Sequence, residues 1–209
     1  YLYLSGRVNM REIEITTQHL ISDGFDIGTD RDPYKNFVYT TFQELATNIS
    51  HKRVGKLAKQ KGNALLGKMC NIIAGDEMRH HLAYREFVNT IFGQDANGMM
   101  VAFADMMKKK IVMPAHFLRE SGEEISSAFE LFSNCAQRLG VYTAQDYVDI
   151  LRKLNDYWDI GNISSLSEQA EKARDYLMKL PDRLQRISER MQFGHEQYKF
   201  KWVEANGML

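Results

Sequence analysis

The sequence has 209 residues, which is enough for one sizeable domain and at most two. Its 27 Lys and Arg residues balance 27 Asp and Glu residues, so the zero net charge argues against a protein that coats nucleic acid or a polybasic membrane-surface protein. Three prolines and two cysteines argue against an all-β fold and a disulfide scaffold, and no uncharged apolar stretch approaches the roughly 18 residues of a membrane span.

Apolar residues recur every three or four positions along most of the chain, which is the spacing of one helix face. The sequence predicts a Gly- and Asp-rich loop at residues 24–32, a closing turn at 93–98, an interruption at Pro114 and an extended arm at 193–209. Helices are predicted over residues 8–21, 33–51, 52–60, 63–92, 99–110, 123–139, 143–157 and 165–191. The fold class is therefore all-α, in one domain over residues 1–209.

Two of these helices begin with a recognisable N-terminal signature. Thr143 precedes Asp146 by three residues and Ser165 precedes Glu168 by three, which is the spacing of a capping box. These patterns predict where helices begin and carry no function.

The candidate chemistry begins with Glu77 and His80, which a spacing of three places on one side of a helix. The pair alone is a weak signal, because such spacings arise by chance. Glu44 strengthens it: if the two long helices are antiparallel, joined through the short helix at 52–60, Glu44 comes level with Glu77. The neighbouring positions are apolar or aromatic, so the two carboxylates would be buried, where they need a cation or a proton.

Carboxylates and an imidazole without thiolates are ligands that suit iron or manganese. Ferritin-like di-iron proteins use a Glu from each of two helices and a Glu-x-x-His from each of two others. The sequence supplies half of that set, since no other histidine follows a glutamate at this spacing. Cys70, on the same stripe as Glu77, is predicted to be a core residue and not a ligand.

Six ordered blocks resemble a known family. They are residues 4–8 (LSGRV), 41–47 (TFQELAT), 76–80 (DEMRH), 102–107 (AFADMM), 113–116 (MPAH) and 137–144 (QRLGVYTA). Over residues 1 to about 191 the chain is similar to the soluble acyl-acyl-carrier-protein desaturases. This resemblance implies a ferritin-like di-iron bundle with additional C-terminal helices. It also implies a homodimeric enzyme of fatty acid biosynthesis that uses O2 and two electrons, usually from ferredoxin, to place a cis double bond in an acyl chain on acyl carrier protein.

The resemblance also implies roles for individual residues. Glu44 would be a terminal ligand, Glu77 a bridging carboxylate and His80 a terminal imidazole, for two Fe(2+) ions per complete subunit. Thr47 would face the oxygen-binding side and Asp76 would orient a ligating histidine, the alternatives being a hydroxyl bonded to its own helix and a solvated acid. The residues implied to lie near the acyl slot, where loop and packing roles are the alternative, are Ile27, Thr29, Asn36 and Phe37.

The chain departs from the family pattern at its start. It begins at Tyr1 without methionine and supplies three of the six ligands, so we expect the C-terminal part of a longer enzyme, or a chain that is inactive as it stands. The alternatives are a ferritin-like iron-binding protein without oxidation chemistry and a metal-free helical module. The expected compartment is a bacterial cytoplasm, with the plastid stroma as the alternative.

Two basic clusters could steer an acidic carrier protein, or could simply be solvated. Residues 52–68 contain six basic and no acidic side chains, and Lys108 to Lys110 form the second cluster. The six residues of this basic stretch are Lys52, Arg53, Lys56, Lys59, Lys61 and Lys68.

Overall fold

A computed structural model describes residues 1–121, 127–191 and 199–203. In these residues the regular structure is helical, apart from one antiparallel bridge between Val8 and Val203. The α-helices are α1 (Leu2–Ser5), α2 (Met10–Asp23), α3 (Pro33–Gln60), α4 (Ala64–Gln94), α5 (Ala96–Lys109), α6 (Ser127–Arg138), α7 (Ala144–Tyr157) and α8 (Glu168–Ser188). Short 3-10 helices cover Pro114–Phe117 and Ile160–Asn162. The predicted all-α class is confirmed, and the arrangement is consistent with a ferritin-like bundle.

Helix α3 is longer than the sequence predicts. The separate helix at 52–60 is wrong, because α3 continues unbroken to Gln60 and no proline interrupts it. Gly55 does not end it; a Cβ there would lie 3.1 Å from the Cβ of Cys70, so the glycine lets α4 approach closely. Residues 61–63 alone reverse the chain before α4 begins.

The boundary between α4 and α5 is also tighter than the predicted turn at 93–98. Only Asp95 separates the two helices, and its carboxylate accepts a hydrogen bond from the backbone N–H of Gly98 at 2.8 Å. The predicted turn fails because this one acidic residue caps α5 in place of a loop.

Of the two predicted capping boxes, one is confirmed. Thr143 and Asp146 exchange side-chain and backbone hydrogen bonds at the start of α7. The box at Ser165 is wrong, since Ser165 has a left-handed φ of 59° and the N-cap of α8 is Ser167. An N-cap needs an extended backbone, which Ser167 has and Ser165 lacks.

The chain divides into two compact units, which are described separately. The first contains residues 1–27, 112–139 and the C-terminal segment that begins at 193. Within it the Asn9 N–H donates to the carbonyl of Trp202 at 2.8 Å, and the carboxylate of the buried Glu120 accepts from the N–H of Lys201 at 2.6 Å. Most of the predicted arm at 193–209 lies outside the described residues, so that arm and the single domain stay predictions.

The second unit contains residues 28–111 and 140–192 and is built on the antiparallel hairpin of α3 and α4. Helices α5, α7 and α8 pack on this hairpin or on one another. In their core, Phe103 is fully buried and lies edge-on to Trp158, with ring centroids 5.1 Å apart. Arg53 on α3 forms an ion pair with Asp146 on α7. This unit carries both helices on which the candidate ligands lie.

Candidate metal centre

The tight turn at 61–63 determines which residues of α3 and α4 face each other. Pairs that lie at nearly equal distances along the chain from this turn meet across the hairpin, and Glu44 and Glu77 form such a pair. The prediction of an antiparallel hairpin therefore holds, although two continuous helices produce it without the short connecting helix.

Glu44, Glu77 and His80 converge in the structure. The Nδ1 atom of His80 lies 3.2 Å from Oε2 of Glu44 and 4.0 Å from Oε2 of Glu77. One ligand atom from each residue lies within 4.8 Å of the others. The Glu44 and Glu77 side chains are 13% and 20% exposed, whereas that of His80 is 56% exposed. The two carboxylates are thus withdrawn from water and the imidazole lies at the open side.

The electrostatics of this group are unfavourable without a cation. Burial, together with the hydrogen bond and the negative charge of Glu77, raises the pKa of Glu44 to about 7, against a smaller opposing effect of His80. Two carboxylates that share one site cannot both ionise easily unless positive charge lies between them. A bound metal cation supplies that charge.

The donor set determines which cations fit. Two carboxylates and one imidazole, with no thiolate, suit iron or manganese better than a structural zinc ion. Cys70 is a free, buried cysteine. Over residues 1–121, 127–191 and 199–203, no second group of three potential ligands occurs. The donor atoms of Glu44, Glu77 and His80 therefore fit an iron site.

Thr47 and Asp76 have other partners in the structure. The Thr47 hydroxyl lies 2.9 Å from the carbonyl of Glu44 and 3.2 Å from that of Gln43, so it bonds to its own helix. Asp76 forms an ion pair with Arg79 on the surface of α4. Their predicted roles at the metal site stay predictions.

The four residues predicted near the acyl slot lie in different surroundings. Ile27 belongs to the first compact unit, Thr29 is buried, and Asn36 is exposed on α3. Phe37, in contrast, has its ring centroid 6.1 Å from that of Tyr84 and 5.7 Å from that of Phe87. Phe37 lies seven residues, about two helical turns, before Glu44, so this aromatic cluster follows the candidate ligands along the same face of the hairpin.

Sequence reasoning missed two buried polar residues beside the ligands. Asn48 is 1% exposed and donates from Nδ2 to the carbonyl of Ala74 at 2.5 Å. His81 is 4% exposed, and its Nδ1 lies 2.8 Å from the carbonyl of Thr41. A signal was present, since each lies four residues after a predicted ligand glutamate and therefore near its face of the helix.

The basic stretch is only partly solvated. Arg53 forms an ion pair with Asp146, whereas the five lysines of the basic stretch form no ion pair with any residue in the described part of the chain. In the second cluster, Lys108 pairs with Asp105 and Lys109 pairs with Asp30. None of the described helices is long and apolar enough to cross a membrane.

Comparison with known proteins gives consistent matches. The family model described as fatty acid desaturase matches residues 1–204. The chain is 50% identical over 192 residues to a stearoyl-acyl-carrier-protein 9-desaturase of Olea europaea, covering 92% of this chain and 49% of that protein. It is 49% identical over 206 residues to the corresponding enzyme of Ricinus communis, covering 97% and 52%. It is 45% identical over 213 residues to a palmitoyl-acyl-carrier-protein 4-desaturase of Ophrys sphegodes, covering 100% and 53%.

Two facts follow from these matches. The chain spans about half the length of the curated relatives it matches. All three relatives are plant enzymes named chloroplastic, so the prediction of a bacterial cytoplasm is wrong. Composition and helix patterns carry no information on compartment, which explains that error.

Proposed function

The chain belongs to the fatty acid desaturase family, and from this premise we propose that the protein is an acyl-acyl-carrier-protein desaturase of fatty acid biosynthesis in plastids. The observation that carries the proposal is the convergence of Glu44, Glu77 and His80 within 4.8 Å on the facing sides of α3 and α4. The relatives named as acyl-acyl-carrier-protein desaturases support the substrate class.

The proposed reaction removes two hydrogen atoms from adjacent methylenes of a saturated acyl chain. With two electrons from a ferredoxin-type donor and two protons, it reduces O2 to two molecules of water. Side-chain acids and bases cannot abstract hydrogen from an unactivated methylene, and bound iron supplies the activation of O2. Glu44, Glu77 and His80 would hold Fe(2+), with two ions in a complete subunit.

The remaining roles fall to side chains around these ligands. The cluster of Phe37, Tyr84 and Phe87 offers apolar surface beside the ligands, and each methylene buried against such surface contributes about 0.8 kcal/mol to binding. Thr29 and Asn36, which belong to the same compact unit as the ligands, would complete the surroundings of the acyl chain, and the role of Ile27 stays a prediction. Thr47 would face the oxygen-binding side of the metal site. Asp76 would orient a ligating histidine.

Binding of the acidic carrier protein would use the basic stretch on α3 and α4. Its lysines are solvent-facing, and an array of like charge with no acidic residue attracts an acidic partner at long range. The electron donor would be a ferredoxin-type protein, and the assembly a homodimer.

The metal site is tested by titrating the protein with Fe(2+) under anaerobic conditions and measuring iron bound per chain. Glu44→Gln and Glu77→Gln each remove a ligand charge and should abolish tight binding and desaturation of stearoyl carrier protein together. Glu86→Gln is the matched control, because Glu86 lies on the same helix but pairs with Arg85 and Tyr157.

The outcomes separate the possible functions. Iron binding with O2-dependent formation of a double bond, detected by mass spectrometry of the released acyl chain, supports the desaturase. Iron binding without any double bond refutes it in favour of a binding protein. Absence of iron binding refutes both.

Carrier docking has its own test. Reversing the charge of Lys52, Lys56 and Lys68 should raise the KM for acyl carrier protein and flatten its dependence on salt. The matched control reverses Lys153, Lys172 and Lys179, three exposed lysines on α7 and α8. An unchanged KM and salt dependence would remove the basic stretch from the docking surface.

A further inference from the structure

Two buried hydrogen bonds join α3 and α4 on opposite sides of the metal ligands. In one, Nδ2 of Asn48 donates to the carbonyl of Ala74 at 2.5 Å. In the other, Nδ1 of His81 lies 2.8 Å from the carbonyl of Thr41; since a carbonyl only accepts, this nitrogen carries the proton. Both side chains leave their own helix and bond to the main chain of the other.

The two bonds are related by an approximate twofold symmetry about the pair of glutamates. Asn48 lies four residues after Glu44, and His81 lies four residues after Glu77. Each donates to a carbonyl that lies three residues before the glutamate of the opposite helix. The layer of the two carboxylates is thus bracketed by one bond about a helical turn above it and one about a turn below it.

We propose that Asn48 and His81 are positioning residues, which fix the register of α3 against α4 and so hold Glu44 and Glu77 at the spacing that a shared metal site needs. This inference rests on the proposed metal site. It assigns a task to two buried polar side chains whose hydrogen bonds go to main-chain carbonyls of the opposite helix.

The geometry explains why apolar packing alone is insufficient. A shift of one residue along an α-helix moves a side chain by about 1.5 Å and turns it by about 100°, which would carry a carboxylate off the shared face. Leucine, methionine and alanine contacts are non-directional and tolerate such a shift, whereas a buried hydrogen bond does not. Near the turn, Gly55 and Gly67 bring the two backbones together but offer no directional side-chain contact.

The chain contains a matched control for this type of bond. Asn155 on α7 is 4% exposed and donates from Nδ2 to the carbonyl of Leu177 on α8 at 2.9 Å. It has the same residue type as Asn48, the same kind of acceptor and similar burial, but it joins two helices that carry no candidate ligand. Asn155→Leu therefore measures the general effect of losing such a bond.

The test uses Co2+ as a spectroscopic probe bound to the protein. Asn48→Leu and His81→Leu should each weaken Co2+ affinity about tenfold and shift the visible absorption bands of the bound ion. Asn155→Leu should lower the unfolding midpoint similarly while affinity and bands stay as in the wild type. His81→Asn places an amide nitrogen where Nδ1 was and should restore affinity, whereas His81→Gln, whose nitrogen lies one bond further out, should not.

The comparison of His81→Asn with His81→Gln keeps the test decisive if a leucine variant does not fold. Equal affinity and identical bands in the wild type, Asn48→Leu and His81→Leu would overturn the positioning role while leaving the metal site intact. An equal loss of affinity in Asn155→Leu would also overturn it. A wild-type protein that binds no Co2+ would refute the metal site itself, and the positioning role with it.

Discussion

Replacing Arg53 by methionine should destabilise the protein far more than its surface location suggests. The Asp146 carboxylate accepts from two guanidinium nitrogens of Arg53 at 2.5 and 2.6 Å, and from the N–H and hydroxyl of Thr143, both at 2.8 Å. Its side chain is only 7% exposed. Arg53→Met keeps most of the apolar stem but leaves this buried carboxylate with the Thr143 donors alone.

The magnitude follows from the exposure of the two partners. Removing one partner of a fully buried ion pair costs about 3–5 kcal/mol, whereas exposed pairs contribute at most about 1 kcal/mol. The Arg53 side chain is 39% exposed, so water compensates part of the loss. We expect the free energy of unfolding to fall by about 2–3 kcal/mol at pH 7.

Urea unfolding measures this change, and Arg152→Met is its matched control. Arg152 is equally exposed, at 39%, but its partner Asp182 is 74% exposed at 3.1 Å, so we expect a loss below about 1 kcal/mol. The comparison uses the shift in urea midpoint at unchanged slope. An Arg53→Met variant no less stable than Arg152→Met would show that the buried Asp146 carboxylate does not depend on Arg53.

The same pair predicts the direction of a pH effect. Burial alone raises the pKa of Asp146, but hydrogen bonds from Arg53 and Thr143 and the charge of Arg53 outweigh it, so the pKa falls below its ordinary 3.8. A carboxylate whose pKa is lowered by folding stabilises the fold at any pH above its pKa in the unfolded chain. It loses that contribution as the pH falls through its pKa in the folded protein. The difference in the free energy of unfolding between the wild type and Arg53→Met should therefore be largest at pH 7 and become smaller below about pH 4. A difference that widens on acidification would contradict this assignment.

Three further outcomes are expected. Because the pKa of Glu44 is raised to about 7, protons compete with the metal for this carboxylate below pH 7. The apparent Co2+ affinity should therefore fall about tenfold per pH unit below 7. An affinity that does not change between pH 5 and 7 would contradict this. Phe103→Ala empties a fully buried site and should cost about 3–5 kcal/mol in urea unfolding, against a loss below 1 kcal/mol if that core collapses freely. Gly67→Ala would place a Cβ 2.5 Å from the Cγ of Lys59 and should lower the melting temperature. The control Gly93→Ala meets nothing within 4 Å and should raise or preserve it.

Local patterns in the sequence predicted most of the helices and one of the two capping boxes. Helix periodicity and the box at Thr143 depend on residues three or four apart, so they can be read without knowledge of the fold. The errors arose where a local signal had a competitor. Ser167 displaced Ser165 as the N-cap of α8, and Asp95 replaced a predicted six-residue turn.

The candidate ligands could also be predicted from the sequence. Glu77 and His80 share a helix face by spacing alone, and Glu44 joins them once the two helices are taken as antiparallel. The resemblance of the motifs around these residues to a known family then implied iron as the metal and desaturation as the reaction. No sequence pattern indicated the compartment, and the prediction of a bacterial cytoplasm was corrected by the comparison with plant enzymes.

The hydrogen bonds around the candidate ligands became visible only in the folded structure. Short-range periodicity predicted an all-helical chain and the shared helix face of Glu77 and His80, whereas Glu44 joined them only on the assumption that the two helices are antiparallel. The bonds of Asn48 and His81 to the opposite helix, and the bond of Arg53 to Asp146, join residues 26, 40 and 93 positions apart. Such contacts depend on which helices pack and in what register, so no local pattern encodes them.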